Sequence, residues 1–167
     1  MKLYVMNAAR GRSLAERLNE AVDEVFQRML GVRCKPMEAA GCTLRQESFG
    51  AVAGFAGAML GSCVLRMDRA SGLLLAELLT GRERTDETKI HDGLGEMCSG
   101  IARAWTGRVP RLASGCMVSP PMVIAGYDYR LYWQPSPLQI QAQYQFGAAE
   151  VEVTLRGDLE NCSEASG

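Results

Sequence analysis

Apolar and polar positions alternate along the chain in a small number of recognisable patterns. Leu14, Leu18, Ala21, Val22, Val25, Phe26, Met29 and Leu30 recur at spacings of three and four up to Gly31, which predicts an amphipathic helix. Ser13-x-x-Glu16 at its head reads as a capping box, and residues 2–6 before it suit a short strand. Over residues 42–67 the helical period vanishes. Gly50, Gly54, Gly57 and Gly61 punctuate Val, Phe, Leu and Cys residues there, which predicts two or three antiparallel strands joined by tight turns. Asp68 is placed to cap a second helix through Leu73–Leu79, closed by Gly81. A third helix starts near Thr85-Asp86-Glu87, whose acids suit the positive end of the dipole, and stops before Pro110. Beyond Pro110 the pattern predicts strands over residues 116–118, 122–132, 138–146 and 150–155, the last two joined around Gly147.

The order helix, strands, two helices, strands implies an α+β domain, an antiparallel sheet with helices packed on it. The domain is expected over residues 13–157, with residues 1–12 as an N-terminal segment. Residues 158–167, carrying Asp158, Glu160 and Glu164 and few apolar side chains, are expected to form a disordered acidic tail. At 167 residues, 47% hydrophobic and 22% charged, the chain can bury a full core without metal or disulfide staples. Eighteen Lys and Arg against nineteen Asp and Glu lack the basic excess of a nucleic-acid or anionic-membrane binder. The six cysteines form no C-x-x-C pair, and His91 is the only histidine, so the thiols read as reduced and a zinc site is not assembled. Without a signal peptide or an apolar run of transmembrane length, a cytoplasmic location is expected.

The third helix carries the chemistry. At 100° per residue, Asp92, Glu96, Ser99 and Arg103 fall in one stripe, opposite Ile90, Leu94, Met97, Ile101 and Trp105. One face is expected to pack and the other to project. Gly93, Gly100 and Gly107 recur at intervals of seven although a helix-interior glycine costs about 1 kcal/mol against alanine. A neighbouring backbone or helix should therefore lie against Gly93 and Gly100, while Gly107 can simply end the helix. By itself the charged stripe is what any solvated helix face shows, and Glu24 with Gln27 in the first helix reads the same way. Glu87 and His91 at i, i+4 lack a third metal ligand, and Gly93-x-Gly95 lies inside a helix and so is no dinucleotide fingerprint. Arg103, one turn beyond Ser99, suits pairing with Glu96 and Ser99 along the helix, or a positive clamp on phosphate.

Asp92-x-x-x-Glu96-x-x-Ser99-Gly100, followed by Ser119-Pro120-Pro121-Met122-Val123-Ile124-Ala125-Gly126, resembles the signature of the CheX branch of the CheC/CheX/FliY family. These are bacterial chemotaxis phosphatases that dephosphorylate the response regulator CheY. The family pattern is Asp or Ser, three residues, Glu, two residues, Asn, and a proline a little over twenty residues later; Pro121 follows Ser99 by 22. The resemblance implies a homodimer that acts on a phosphorylated CheY-type receiver, with no cofactor of its own and magnesium only in the receiver. Glu96 and Ser99 would then be catalytic, and Asp92, Arg103 and Pro121 would bind the partner. In the family the glutamate pairs with the receiver's lysine and the asparagine holds water in line with the aspartyl phosphate. Here Ser99 replaces that asparagine. The hydroxyl lies one bond nearer the backbone than a carboxamide, and a shortfall of about 1 Å in reach can cost on the order of a hundredfold in rate. Two functions are therefore open: a phosphatase weakened at Ser99, and a dimeric module that binds a receiver or another signalling protein without hydrolysis.

Overall fold

The computed structural model describes residues 2–5, 8–38, 47–81, 86–127, 129 and 131–159. Their elements in chain order are β1 (Lys2–Val5), α1 (Ala8–Leu30), β2 (Lys35–Pro36), β3 (Glu47–Gly57), β4 (Leu60–Asp68), α2 (Arg69–Thr80), α3 (Glu87–Arg108), β5 (Cys116–Val118), β6 (Met122–Tyr127), β7 (Leu138–Phe146) and β8 (Ala149–Asp158). The strands form one sheet in the order β1-β7-β8-β4-β3-β5, with β2 also on β7 and β6 also on β3, and each of these pairings is antiparallel. The α+β class expected from the element order is the one found.

Period-two alternation sorts the strand residues between two faces. Phe49, Ala51, Ala53 and Phe55 of β3, Cys63, Leu65 and Met67 of β4, and Val151, Val153 and Leu155 of β8 join the apolar stripes of α1 and α3 in the core. Phe26 of α1 meets Phe146 of β7 with ring centroids 4.9 Å apart. The alternate residues, among them Arg66, Gln141, Glu152 and Arg156, belong to the face without helices.

The helix ends follow the predicted chemistry more closely in α2 and α3 than in α1. Asp68 caps α2 by accepting from the backbone of Ser71, and Gly81 closes it in the left-handed conformation at φ 66°. Asp86 caps α3 by accepting from Lys89. Helix α1 begins at Ala8, so Ser13 is an exposed residue within the helix and its capping box does not start it. Ala8, Ala9 and Arg10 are strong helix formers and carry the helix back past the capping signal.

Three further expectations need correction. Gly50 and Gly54 lie inside β3, with turn geometry only at Gly57 (φ 87°) among the four glycines of this region. They are positions of close approach: a Cβ on Gly50 would meet the Tyr129 hydroxyl at 2.5 Å, and one on Gly54 would meet Ser119 Oγ at 3.2 Å. The strand predicted over 122–132 stops at Tyr127; the chain then crosses the outer face of the sheet, where Arg66 lies 5.2 Å from the Tyr129 ring centroid. Strand β8 continues to Asp158, which pairs with Leu60, so Asp158 belongs to the sheet and not to a tail. Residues 160–167 lie outside the described residues.

Candidate functional site on helix α3

Helix α3 is wedged between both other helices and the sheet. Ile90, Leu94, Met97, Cys98, Ile101 and Trp105 are fully buried, with Trp105 Nε1 donating to Leu14 O of α1 at 3.2 Å. The expected close approach at two glycines is present. A Cβ on Gly93 would stand 2.4 Å from Leu79 Cδ1 of α2, and one on Gly100 would stand 3.2 Å from Val25 Cγ1 of α1, whereas one on Gly107 would meet none of the described residues within 4 Å.

Asp92, Glu96 and Arg103 are exposed along one side. Ser99, expected to project with them, is only 5% exposed, and its buried hydroxyl has no hydrogen-bond partner among the described residues. Neighbouring contacts account for the difference. Gly95, one turn before Ser99, lies under the β5–β6 connection, where an added Cβ would meet Pro121 Cγ at 3.2 Å and Val123 Cγ2 at 3.5 Å. That flank of α3 is covered, and a side chain as short as serine does not clear it.

The pairing of Arg103 with Glu96 and Ser99 along the helix does not form: neither Glu96 nor Arg103 has an ion-pair partner among the described residues. Asp92 approaches Lys89 Nζ at 3.8 Å, with both side chains more than half exposed, a geometry that contributes little. His91 sits off the stripe with its ring 5.6 Å from that of Phe49. Glu24 is exposed, as read, and accepts from Arg28 and from Arg108 at the end of α3. Among the described residues no group of three or more His, Cys, Asp and Glu side chains is placed to hold a metal, and no helix is long and apolar enough to cross a membrane.

Pro121 is brought beside α3 by a local lock. Gly54 N donates to Ser119 Oγ at 2.8 Å, Ser119 N donates back to Gly54 O at 2.9 Å, and Ser119 Oγ donates to Pro120 O at 3.0 Å. Sequence reasoning missed Gly54 and Gly95 as parts of this site, and took Ser119 only as part of the signature segment without its role in the lock. The one visible signal at the first two was glycine where a strand or helix interior disfavours it.

A family model described as chemotaxis phosphatase CheX matches residues 49–142, more than half of the chain and spanning β3 through the first half of β7. The chain belongs to the CheX family. Its fold is similar to that of CheX from Desulfovibrio desulfuricans, with a TM-score of 0.73 at 17% identity, covering 87% of this chain and 99% of that one. It is also similar to the crystal structure of the CheX–CheY–BeF3–Mg2+ complex from Borrelia burgdorferi, with a TM-score of 0.69 at 19% identity, covering 87% and 97%. FliY from Thermotoga maritima is more distant, with a TM-score of 0.61 at 15% identity, covering 91% and 92%. No curated protein matches the chain by sequence.

Proposed function

We propose that this protein binds a phosphorylated CheY-type receiver through the exposed side of α3 and speeds hydrolysis of its aspartyl phosphate only weakly. The burial of Ser99 between exposed Glu96 and Arg103 carries this reading. Catalysis of phosphoryl hydrolysis asks a helper protein for little beyond positioning of water and charge. Glu96 has its carboxylate in solvent and free to meet a lysine of the receiver. Arg103 offers a guanidinium to the acidic or phosphorylated surface of the partner, and Asp92 and Pro121 border the same face. Ser99 supplies a hydroxyl that is covered by its own domain and too short to hold water at a phosphorus atom on another molecule. The CheX–CheY complex from Borrelia supports the choice of partner by family likeness. The protein needs no metal of its own in this scheme, and the magnesium belongs to the receiver.

The same reading takes the protein as a two-fold dimer. Strands β5 and β6 lie on the outer side of β3, and Met117, Met122 and Tyr127 on them are 67%, 61% and 76% exposed. An unpaired sheet edge with exposed apolar side chains is what a second copy would cover.

The test is the phosphate lifetime of a CheY-type receiver, measured with wild type and Ser99→Asn, beside a binding titration against the beryllofluoride-activated receiver. The reading requires binding by wild type with little shortening of the lifetime. Rapid hydrolysis by wild type would overturn the weak-catalysis part, and absence of binding would overturn the partner.

A further inference from the structure

The sheet face turned away from the helices holds a cavity of about 370 Å³ that the α3 site does not use. Strand register explains its polarity. Arg66 of β4 stands opposite Glu152 of β8, Val64 opposite Thr154, and Ser62 opposite Arg156, so Arg66, Glu152, Thr154 and Arg156 share this face. Glu152 and Arg156 are four residues apart on one strand, about 14 Å at 3.4 Å per residue.

The two ends differ in charge balance. At one end Arg66 Nη1 lies 3.8 Å from Glu152 Oε1, and Gln141 Nε2 donates to Glu152 Oε2 at 2.9 Å, so this carboxylate is already occupied. At the other end Arg156 is 7% exposed. Its Nη2 donates to Gln134 O at 2.6 Å, and its guanidinium lies 5.3 Å from the Trp133 ring centroid. Among the described residues its Nε is buried without a partner, and no carboxylate lies within ion-pair distance. Desolvation lowers the pKa of this group, yet a guanidinium stays protonated at physiological pH. A buried cation without a counter-charge is unfavourable unless something supplies the missing acceptor.

We propose that this cavity is a binding site for a small organic oxyanion, whose carboxylate or phosphate head pairs with Arg156 and whose planar body lies over Thr154 between the Arg156 and Arg66 ends. Nη1, which is not among the buried atoms and has no acceptor among the described residues, is the guanidinium group left to donate to an oxyanion from the cavity side. Trp133, 43% exposed, gives the body an aromatic wall. Leu131, Tyr132 and Trp133 line the cavity, and the chain just after them is tied to the sheet at both sides of Pro135, by Arg156 on Gln134 O and by Ser136 Oγ donating to Gly157 O at 2.8 Å. This inference does not depend on the receiver reading, because it concerns the opposite face of the sheet.

The experiment uses the full chain with phenyl phosphate and benzoate as separate arms, inorganic phosphate to test the need for a ring, and sodium chloride at matched ionic strength as control. The readouts are tryptophan fluorescence and the thermal midpoint. Trp133 reports the cavity, whereas Trp105 is sealed in the core with ring centroid 5.9 Å from that of Phe55. Saturable quenching together with a raised midpoint is expected from at least one aryl probe, and the stronger arm identifies the head group. Arg156→Met should fold, since an apolar chain replaces a buried charge that has no ion-pair partner among the described residues, and should bind at least about tenfold more weakly. Arg156→Lys keeps the charge but loses the fork, and should also weaken binding by about tenfold. No saturable response from wild type up to about 10 mM of either aryl probe would overturn the proposal. So would undiminished binding by both Arg156 variants.

Discussion

Gly100 of α3 faces Val25 of α1 so closely that a methyl group on it would stand 3.2 Å from Val25 Cγ1. Val25 is fully buried and β-branched, with essentially one side-chain rotamer open to it in a helix. Gly100→Ala therefore meets overpacking that outweighs its gain in helix propensity, and should destabilise the protein by about 1 kcal/mol. Gly107→Ala, with open space around it, should stabilise by about 0.5–1 kcal/mol. Denaturant midpoints with unchanged slopes check the pair, and equal effects of the two substitutions would contradict the packing described.

Ser99 keeps a buried hydroxyl without a partner among the described residues. Removing such a group relieves a desolvation penalty, so Ser99→Ala should raise stability by up to about 1 kcal/mol. If the hydroxyl were instead positioning water for hydrolysis, the same substitution would shorten no receiver lifetime and would measurably lengthen it relative to wild type. The expected result is a more stable protein with unaltered receiver dephosphorylation.

Ser99→Asn extends the side chain beyond the flank covered by Pro121 and adds a carboxamide that donates and accepts at once. It should speed receiver dephosphorylation by about 10- to 100-fold without tightening binding, as expected of a change felt in the transition state alone. Glu96→Lys should weaken binding by about tenfold or more, by setting like charge against the receiver's lysine. Stopped-flow lifetimes and titration on each variant separate the two effects, with circular dichroism to show that α3 is intact.

Stability should fall at alkaline pH. Burial, and next the charge of Asp23, raise the Cys34 thiol above its ordinary 9.0. A hydrogen bond with Cys98, and next burial, raise Cys63, and burial raises Tyr144 above 10.0. Each group is neutral below its ordinary value in both states, so its contribution is complete there. As pH rises past that value the unfolded chain loses protons while the folded chain keeps them, and stability drops by about 1.4 kcal/mol per pH unit per group. Tyr144→Phe should make the decline above pH 10.0 shallower. It should also cost about 1 kcal/mol near neutrality, through loss of the 2.8 Å hydrogen bond from the Tyr144 hydroxyl to Asn19 Oδ1. Urea titrations across this range at fixed ionic strength provide the check.

Light scattering should return the mass of two chains, and Met122→Lys with Tyr127→Lys should return one, by placing charge on the edge beside β3. A monomer for wild type over a wide concentration range would remove the dimer from the functional scheme.

Much of this protein was determined by its sequence alone, wherever the cause is local. Helices α2 and α3 start and stop where Asp68, Gly81 and Asp86 place their capping groups, because a cap satisfies backbone donors and acceptors within one turn. The buried stripe of α3 and the close approaches at Gly93 and Gly100 were legible too, since period 3.6 sorts the faces of a helix and interior glycine is unfavourable without a contact to justify it. Only the tertiary structure decided which polar positions reach solvent and which glycines sit in turns. Ser99 shares its stripe with Glu96 and Arg103, but periodicity gives an angle around the axis and not what lies above it. Pro121, 22 residues later in the chain, reaches that flank only because Ser119 is hydrogen-bonded to Gly54 on β3. The surroundings of Arg156 were invisible for the same reason: register sets Ser62 and Gln139 beside it, without a carboxylate, and its burial comes with a connection that crosses the sheet, which are relations between segments far apart in sequence.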